Sequence, residues 1–117
     1  MNYDSSIVQL IEVRATAIDV EFQRKYKQRV ERVERKLHDR LAECAKNHTV
    51  VECRNNLKHM WFAQDPSLNS LEAYRCINEA YTARTSNMNA AVNDCLDKVQ
   101  RKLFTTIEAE LSRLEAL

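Results

Sequence analysis

The chain contains four cysteines, which could form disulfides, bind a metal ion or supply a nucleophile. An even number of cysteines in a chain of 117 residues is typical of a disulfide framework formed in an oxidising compartment. Each successive pair is centred on a segment that predicts a turn, so helices folding back at these turns would bring all four sulfurs to one level of an antiparallel bundle. We therefore predict two disulfides formed by Cys44, Cys53, Cys76 and Cys95.

Two pairings of these cysteines remain open at this point. The nested set joins Cys53 to Cys76 and Cys44 to Cys95, and it is slightly favoured because it ties the first helix to the last. The other set joins Cys44 to Cys53 and Cys76 to Cys95. Geometry disfavours only the crossed set.

Other uses of these cysteines have less support. Cys44 and His48 have the i, i+4 spacing of metal ligands on a helix, but no C-x2-C knuckle accompanies them. A catalytic thiolate beside His48 or His59 would lack a recognisable orienting residue or oxyanion donor. Glycine is absent from the chain, which excludes the phosphate-binding and nucleophile loops that depend on it. We expect a non-enzymatic protein with no catalytic residues, no metal and no cofactor.

The chain has no glycine and one proline, the residues that favour tight turns and sheet bulges. A β-sheet is therefore disfavoured, and we expect helices to position the cysteines. Apolar residues recur at intervals of three and four, which predicts helices over about 5–46, 50–63 and 87–115, with a further helix that begins near Pro66 or Ser67. Thr49 and Glu52 form a capping box, and Asn47 takes the left-handed position that ends the first helix. The side chains that the third helix is expected to direct into the core are Leu71, Tyr74, Ile77 and Tyr81.

The break between the last two helices, at 85–87, is weak by local propensity. On one unbroken helix Cys76 and Cys95 would lie about 28 Å apart, beyond the reach of a disulfide. The fold class is therefore all-α: one domain over 1–117, a disulfide-linked antiparallel bundle of three to four helices. The first and last helices form a long coiled-coil arm whose surplus apolar stripe is buried by each other or by another chain.

The net charge of +1 argues against nucleic acid or a membrane surface as a partner. Residues 24–40 nevertheless carry eight basic against three acidic side chains. We expect most of this face to be solvated, but it is also the best candidate for a protein contact or self-association. The consecutive Met60, Trp61 and Phe62 cannot all face inward, so one of them is expected at a pocket rim or an interface. The candidate contact residues are Arg29, Arg32, Lys36, Trp61 and Phe62.

The compartment is suggested by two further features. Asn47-His48-Thr49 is a sequon that makes Asn47 a candidate glycosylation site in a secreted protein. No signal segment is evident at the start and no run of 18 apolar residues predicts a membrane span. A secreted protein with a removed signal is favoured, and the mitochondrial intermembrane space is the alternative.

A resemblance supports secretion. The pattern consists of Cys44 to Cys53, then Ser70-Leu71-Glu72-Ala73-Tyr74-Arg75-Cys76, then Asn87-Met88-Asn89-Ala90-Ala91 before Cys95. It resembles the TsetseEP-type helical domain of insect secreted proteins, which implies an extracellular, non-enzymatic role. The preferred function is a structural or protein-interaction module. The alternatives are a carrier of a small apolar ligand and an intermembrane-space subunit or assembly factor.

Overall fold

The computed structural model describes residues 5–62 and 67–117. These ranges contain four α-helices and one short 3₁₀ helix, with no strand. The helices are α1 (Ser5–Cys44), α2 (Val50–Leu57), the 3₁₀ helix (Lys58–Met60), α3 (Ser70–Thr82) and α4 (Met88–Glu115). The all-α prediction and the break before α4 are confirmed. Of the predicted start of the third helix, Pro66 lies outside the described residues, and Ser67 is not helical.

Short polar side chains start three of the helices. The predicted capping box is present: the Thr49 hydroxyl accepts from the Glu52 amide at 3.2 Å, and the Glu52 carboxylate accepts from the Thr49 amide at 3.2 Å. Asn69 caps α3 by accepting from the Leu71 amide at 2.7 Å, and Asn87 accepts from an amide in the first turn of α4. Each cap satisfies an amide that has no partner within its helix, which fixes where the helix begins.

The left-handed position falls elsewhere than predicted. Arg84, with φ of 50°, is the one non-glycine residue with positive φ in the described ranges, so the prediction for Asn47 is wrong. The chain leaves α1 without a left-handed residue, because the amides of Asn47 and His48 both donate to the Cys44 carbonyl at 3.1 Å. These bonds continue the helical turn and satisfy the terminal carbonyl in another way.

The contacts of the chain divide it into two compact units. Unit 1 comprises Met1–Arg24 and Pro66–Thr105, and unit 2 comprises Lys25–Asp65 and Thr106–Leu117. Both long helices contribute to both units. Whether the chain behaves as one domain in solution stays a prediction.

Unit 1 is built from the first part of α1, from α3 and from the first part of α4. Its core cluster consists of Ile7, Cys76, Ile77, Ala80, Val92, Leu96 and Val99. Here α1 and α4 run parallel, because Ser6 contacts Asn89 whereas Arg14 contacts Gln100. The hairpin of α3 and α4 folds back as predicted.

The inward face of α3 differs from the prediction. Ile77 is buried as expected, but Leu71 is 75% exposed, Tyr74 51% and Tyr81 40%. The residues that α3 buries are Ala73, Cys76, Ile77 and Ala80. Cys76 is 0% exposed in a disulfide, so the bond sets the rotation of the helix and turns the two tyrosines outward.

Unit 2 is built from the second part of α1, from α2 with the 3₁₀ helix, and from the end of α4. Its buried side chains are Tyr26, Val33, Leu37, Cys53, Met60, Ile107, Leu111 and Leu114. Again α1 and α4 run parallel, since Arg29 contacts Glu108 and Lys36 contacts the Glu115 carbonyl. Within this unit the end of the long apolar stripe is buried by the chain itself.

The disulfides join Cys44 to Cys53 and Cys76 to Cys95, with Cα–Cα distances of 5.8 and 5.5 Å. The slight preference for the nested pairing is therefore wrong. The expectation that α1 and α4 are antiparallel is also wrong, because the two helices run parallel within each unit. One disulfide belongs to each unit, and each closes a single helical hairpin.

Candidate functional site

The turn between α1 and α2 carries three of the residues that the sequence analysis singled out. Cys44 is consumed in the disulfide with Cys53, so it offers no thiolate beside His48. His48 is exposed and its Nδ1 lies 3.5 Å from the Glu52 carboxylate. Asn47 is exposed in the turn, as a glycosylation site must be. Within the described ranges no group of three or more His, Cys, Asp or Glu side chains could hold a metal ion.

Arg29 was predicted to contact a partner protein, but in unit 2 its side chain binds two carboxylates of α4. Its guanidinium donates to Glu108 at 2.9 Å and to Glu115 at 2.6 and 3.2 Å. The Tyr26 hydroxyl donates to Glu108 at 2.6 Å. The hydrogen bonds from Tyr26 and then Arg29 lower the pKa of the Glu108 carboxyl, and the hydrogen bond from Arg29 lowers that of Glu115. Arg29 therefore links α1 to α4.

Lys36, like Arg29, is bonded to α4, whereas Arg32 is not hydrogen-bonded to that helix. The Lys36 ammonium donates to the main-chain carbonyl of Glu115 at 3.2 Å, which places it at the end of α4. Arg32 is exposed, and its charge acts on Glu115 without a hydrogen bond. Of the three predicted basic contacts, Arg32 is the one that the structure leaves directed to solvent.

The segment after the 3₁₀ helix presents an aromatic side chain. Met60 is buried, Phe62 is half-buried, and Trp61 is 36% exposed. The Arg113 guanidinium donates to the main-chain carbonyl of His59 at 2.5 Å and to that of Trp61 at 3.4 Å. As the spacing requires, the three consecutive residues do not all face inward. The backbone beneath the indole is fixed by a side chain of α4.

Unit 1 contains a polar network that sequence reasoning missed. The Arg14 guanidinium forms an ion pair with Asp97 and donates to Asn93 and, at 3.1 Å, to Gln100. Gln100 in turn donates to Glu21 at 2.8 Å. The available signal was Arg14 itself, the one basic residue among residues 1–23, but its partners on α4 could be found only from the packing.

Unit 1 also contains a groove between α1 and α3, with a volume of about 340 Å³. Its inner lining is apolar, with Ile11, Leu68, Ala73 and Ile77 facing it. Ala73 and Ile77 are buried, and Ile11 and Leu68 pack against the core cluster. Tyr74, which the sequence analysis expected to face inward, lines this groove.

The fold and these surfaces define a disulfide-linked all-α protein. No family model matches the chain, and no curated protein or solved structure matches it significantly. No described helix is both long and apolar enough to cross a membrane.

Proposed function

We propose that the protein is a non-enzymatic, secreted structural or protein-interaction module. The observation that carries this proposal is the presentation of Trp61 in unit 2. Trp61 is 36% exposed, and the Arg113 guanidinium donates a hydrogen bond to its main-chain carbonyl from α4. Tryptophan is enriched among the residues that contribute most binding energy at interfaces, and a fixed backbone lowers the entropy lost on binding.

Arg32 supplies the basic part of the proposed contact. It is exposed on α1, whereas Arg29 and Lys36 are engaged by α4. An exposed arginine contributes little to folding but steers the encounter with an acidic partner. The proposed contact residues are therefore Arg32, Trp61 and the half-buried Phe62.

Secretion is supported by the two disulfides, which need an oxidising compartment to form. The resemblance to TsetseEP-type domains of insects and the exposed sequon at Asn47 support the same proposal. The intermembrane space also oxidises thiols, so the natural reading frame discriminates between the two compartments. A secretory signal upstream, and a mobility shift on deglycosylation that Asn47→Gln abolishes, are expected; a mitochondrial location of the natural protein would contradict secretion.

The interaction is tested by photocrosslinking. A benzoylphenylalanine in place of Trp61 is irradiated in the secreted fluid that contains the natural protein, and the same group in place of the exposed Arg40 is the control. We expect a crosslinked product at position 61 that excess unmodified protein suppresses and excess Trp61→Ala protein does not. Arg32→Glu should weaken the crosslink and its dependence on salt, whereas Arg40→Glu should not.

The competition decides the outcome. If the Trp61→Ala protein suppresses the product as well as the unmodified protein does, Trp61 is not a contact. If no product forms and sedimentation shows a monomer at all concentrations, the interaction proposal is wrong.

A further inference from the structure

The groove between α1 and α3 is open on its outer side. Val8 is 41% exposed and Tyr74 51% exposed, and both line it. Apolar side chains on either side of an apolar groove leave surface that gains free energy when a ligand covers it. The volume of about 340 Å³ falls in the range of small-molecule sites.

Among the described residues that line the groove, Glu12 is the one that carries a carboxylate. Glu12 lines the groove one helical turn after Val8, so the two side chains share a face of α1. It is exposed, and within the described ranges it has no hydrogen-bond or ion-pair partner. Three other acidic side chains among the described residues of unit 1 reach a neighbouring helix. Glu21 and Asp97 are engaged in the Arg14 network, and Glu79, which lies against Cys95, pairs with Arg75.

From this arrangement we propose that the groove binds a small amphiphilic cation, a primary amine carried on an alkyl or arylalkyl chain. The apolar chain lies along Ile11, Ala73 and Ile77, and the ammonium group meets the Glu12 carboxylate. A neutral molecule of the same shape gains only the apolar burial, and an anion is repelled by Glu12.

The proposal goes beyond the interaction module and is independent of it. The groove belongs to unit 1, whereas Trp61 and Arg32 belong to unit 2. Failure of amine binding would leave the crosslinking at Trp61 unaffected, and the converse also holds.

The test uses three probes that share an eight-carbon chain and differ in the head group: octylamine, octanol and octanoate. At neutral pH the first is a cation and the last an anion. Binding is followed by shifts of the backbone amide signals in two-dimensional NMR, with Ile11, Ser70 and Ala73 as reporters of the groove. We expect octylamine to bind about three- to tenfold more tightly than octanol, and octanoate to bind most weakly.

Two matched variants isolate the carboxylate. Glu12→Gln should reduce octylamine affinity to that of octanol without changing the affinity for octanol. Asp19→Asn removes the same charge from another exposed position of α1 that does not line the groove, and it should leave the preference for the amine intact. Both positions are exposed, so neither change should affect folding.

Three results would overturn the proposal. Equal affinities for the three probes would show that Glu12 plays no part. Shifts confined to residues outside the groove would place binding elsewhere. Loss of the preference in Asp19→Asn as well as in Glu12→Gln would reduce the effect to the net charge of the protein.

Discussion

Arg29 shows how a single side chain can be read in two ways. Its position in a basic stretch indicates a surface for partners, yet in unit 2 it bonds to two carboxylates of α4. Since α1 and α4 run parallel there, residues 29, 108 and 115 can meet although they are remote in sequence. Reversing the charges of Arg29, Arg32 and Lys36 together would therefore disturb folding as well as partner binding. Arg32→Glu alone tests binding without removing a bond to α4.

The Arg29 network predicts a dependence of stability on pH. Hydrogen bonds from Tyr26 and Arg29 hold the pKa of Glu108 below its usual value, and Arg29 does the same for Glu115. A carboxyl whose pKa is lower in the folded state contributes stability above its unfolded pKa of about 4.3, and this is lost as pH falls through the folded pKa. We expect Arg29→Gln to lower Tm at pH 7 and to reduce the fall in Tm between pH 6 and pH 3. Arg40→Gln, at an exposed position of α1, is the control, and an unchanged acid profile in Arg29→Gln would contradict the assignment.

Leu111 and Leu71 are leucines of α4 and α3 with opposite environments. Leu111 is 0% exposed and Leu71 is 75% exposed. Removing the buried side chain loses apolar burial and leaves a cavity, so Leu111→Ala should cost about 2 to 5 kcal/mol. Leu71→Ala should change the free energy of unfolding by less than about 0.5 kcal/mol. Urea unfolding measures both, and similar values for the two variants would show that the end of α4 is not buried.

At the end of α3, a left-handed position that glycine usually fills is taken by Arg84. Arg84 adopts φ of 50° just after the C-cap residue Ala83, a position that glycine fills without strain. We expect Arg84→Gly to raise the free energy of unfolding by about 0.5 to 1 kcal/mol, because relief of the left-handed strain exceeds the entropy that glycine adds to the unfolded chain. The same substitution at the exposed Arg101, inside α4, should lower it by about 1 kcal/mol. A loss of stability at both positions would contradict the left-handed conformation of Arg84.

For the molecule as a whole, the pairing of the cysteines is the decisive assignment. Trypsin cleavage after Lys46 separates Cys44 from Cys53, and cleavage at Arg84 separates Cys76 from Cys95. Mass spectrometry of the unreduced digest should find Cys44 linked to Cys53 and Cys76 linked to Cys95. Peptides joining Cys44 to Cys95 would restore the nested arrangement and contradict the parallel course of α1 and α4.

The two disulfides should also differ in what they contribute. They join residues 9 and 19 apart in sequence. A longer closed loop restricts the unfolded chain more, so replacing Cys44 and Cys53 by serine should cost about 2.5 kcal/mol and replacing Cys76 and Cys95 about 3 kcal/mol. Unfolding of each double variant under non-reducing conditions provides the comparison. No loss of stability in either variant would show that the bonds are incidental to the fold.

The helices, the Thr49 capping box and the turns on which the disulfides are centred could be predicted from the amino-acid sequence. These features depend on neighbours three or four residues apart, and such neighbours are visible in a sequence. Tertiary packing was needed to fix the direction of α4 relative to α1 within each unit and the pairing of the cysteines. It was also needed to fix the exposure of Leu71 and Tyr74 and the partners of Arg14 and Arg29. Each of these depends on which surfaces of distant segments pack together, and one amphipathic stripe is compatible with a parallel or an antiparallel neighbour. The candidate amine site has the same origin, because Glu12 and Tyr74 become neighbours of one groove only when α1 packs beside α3.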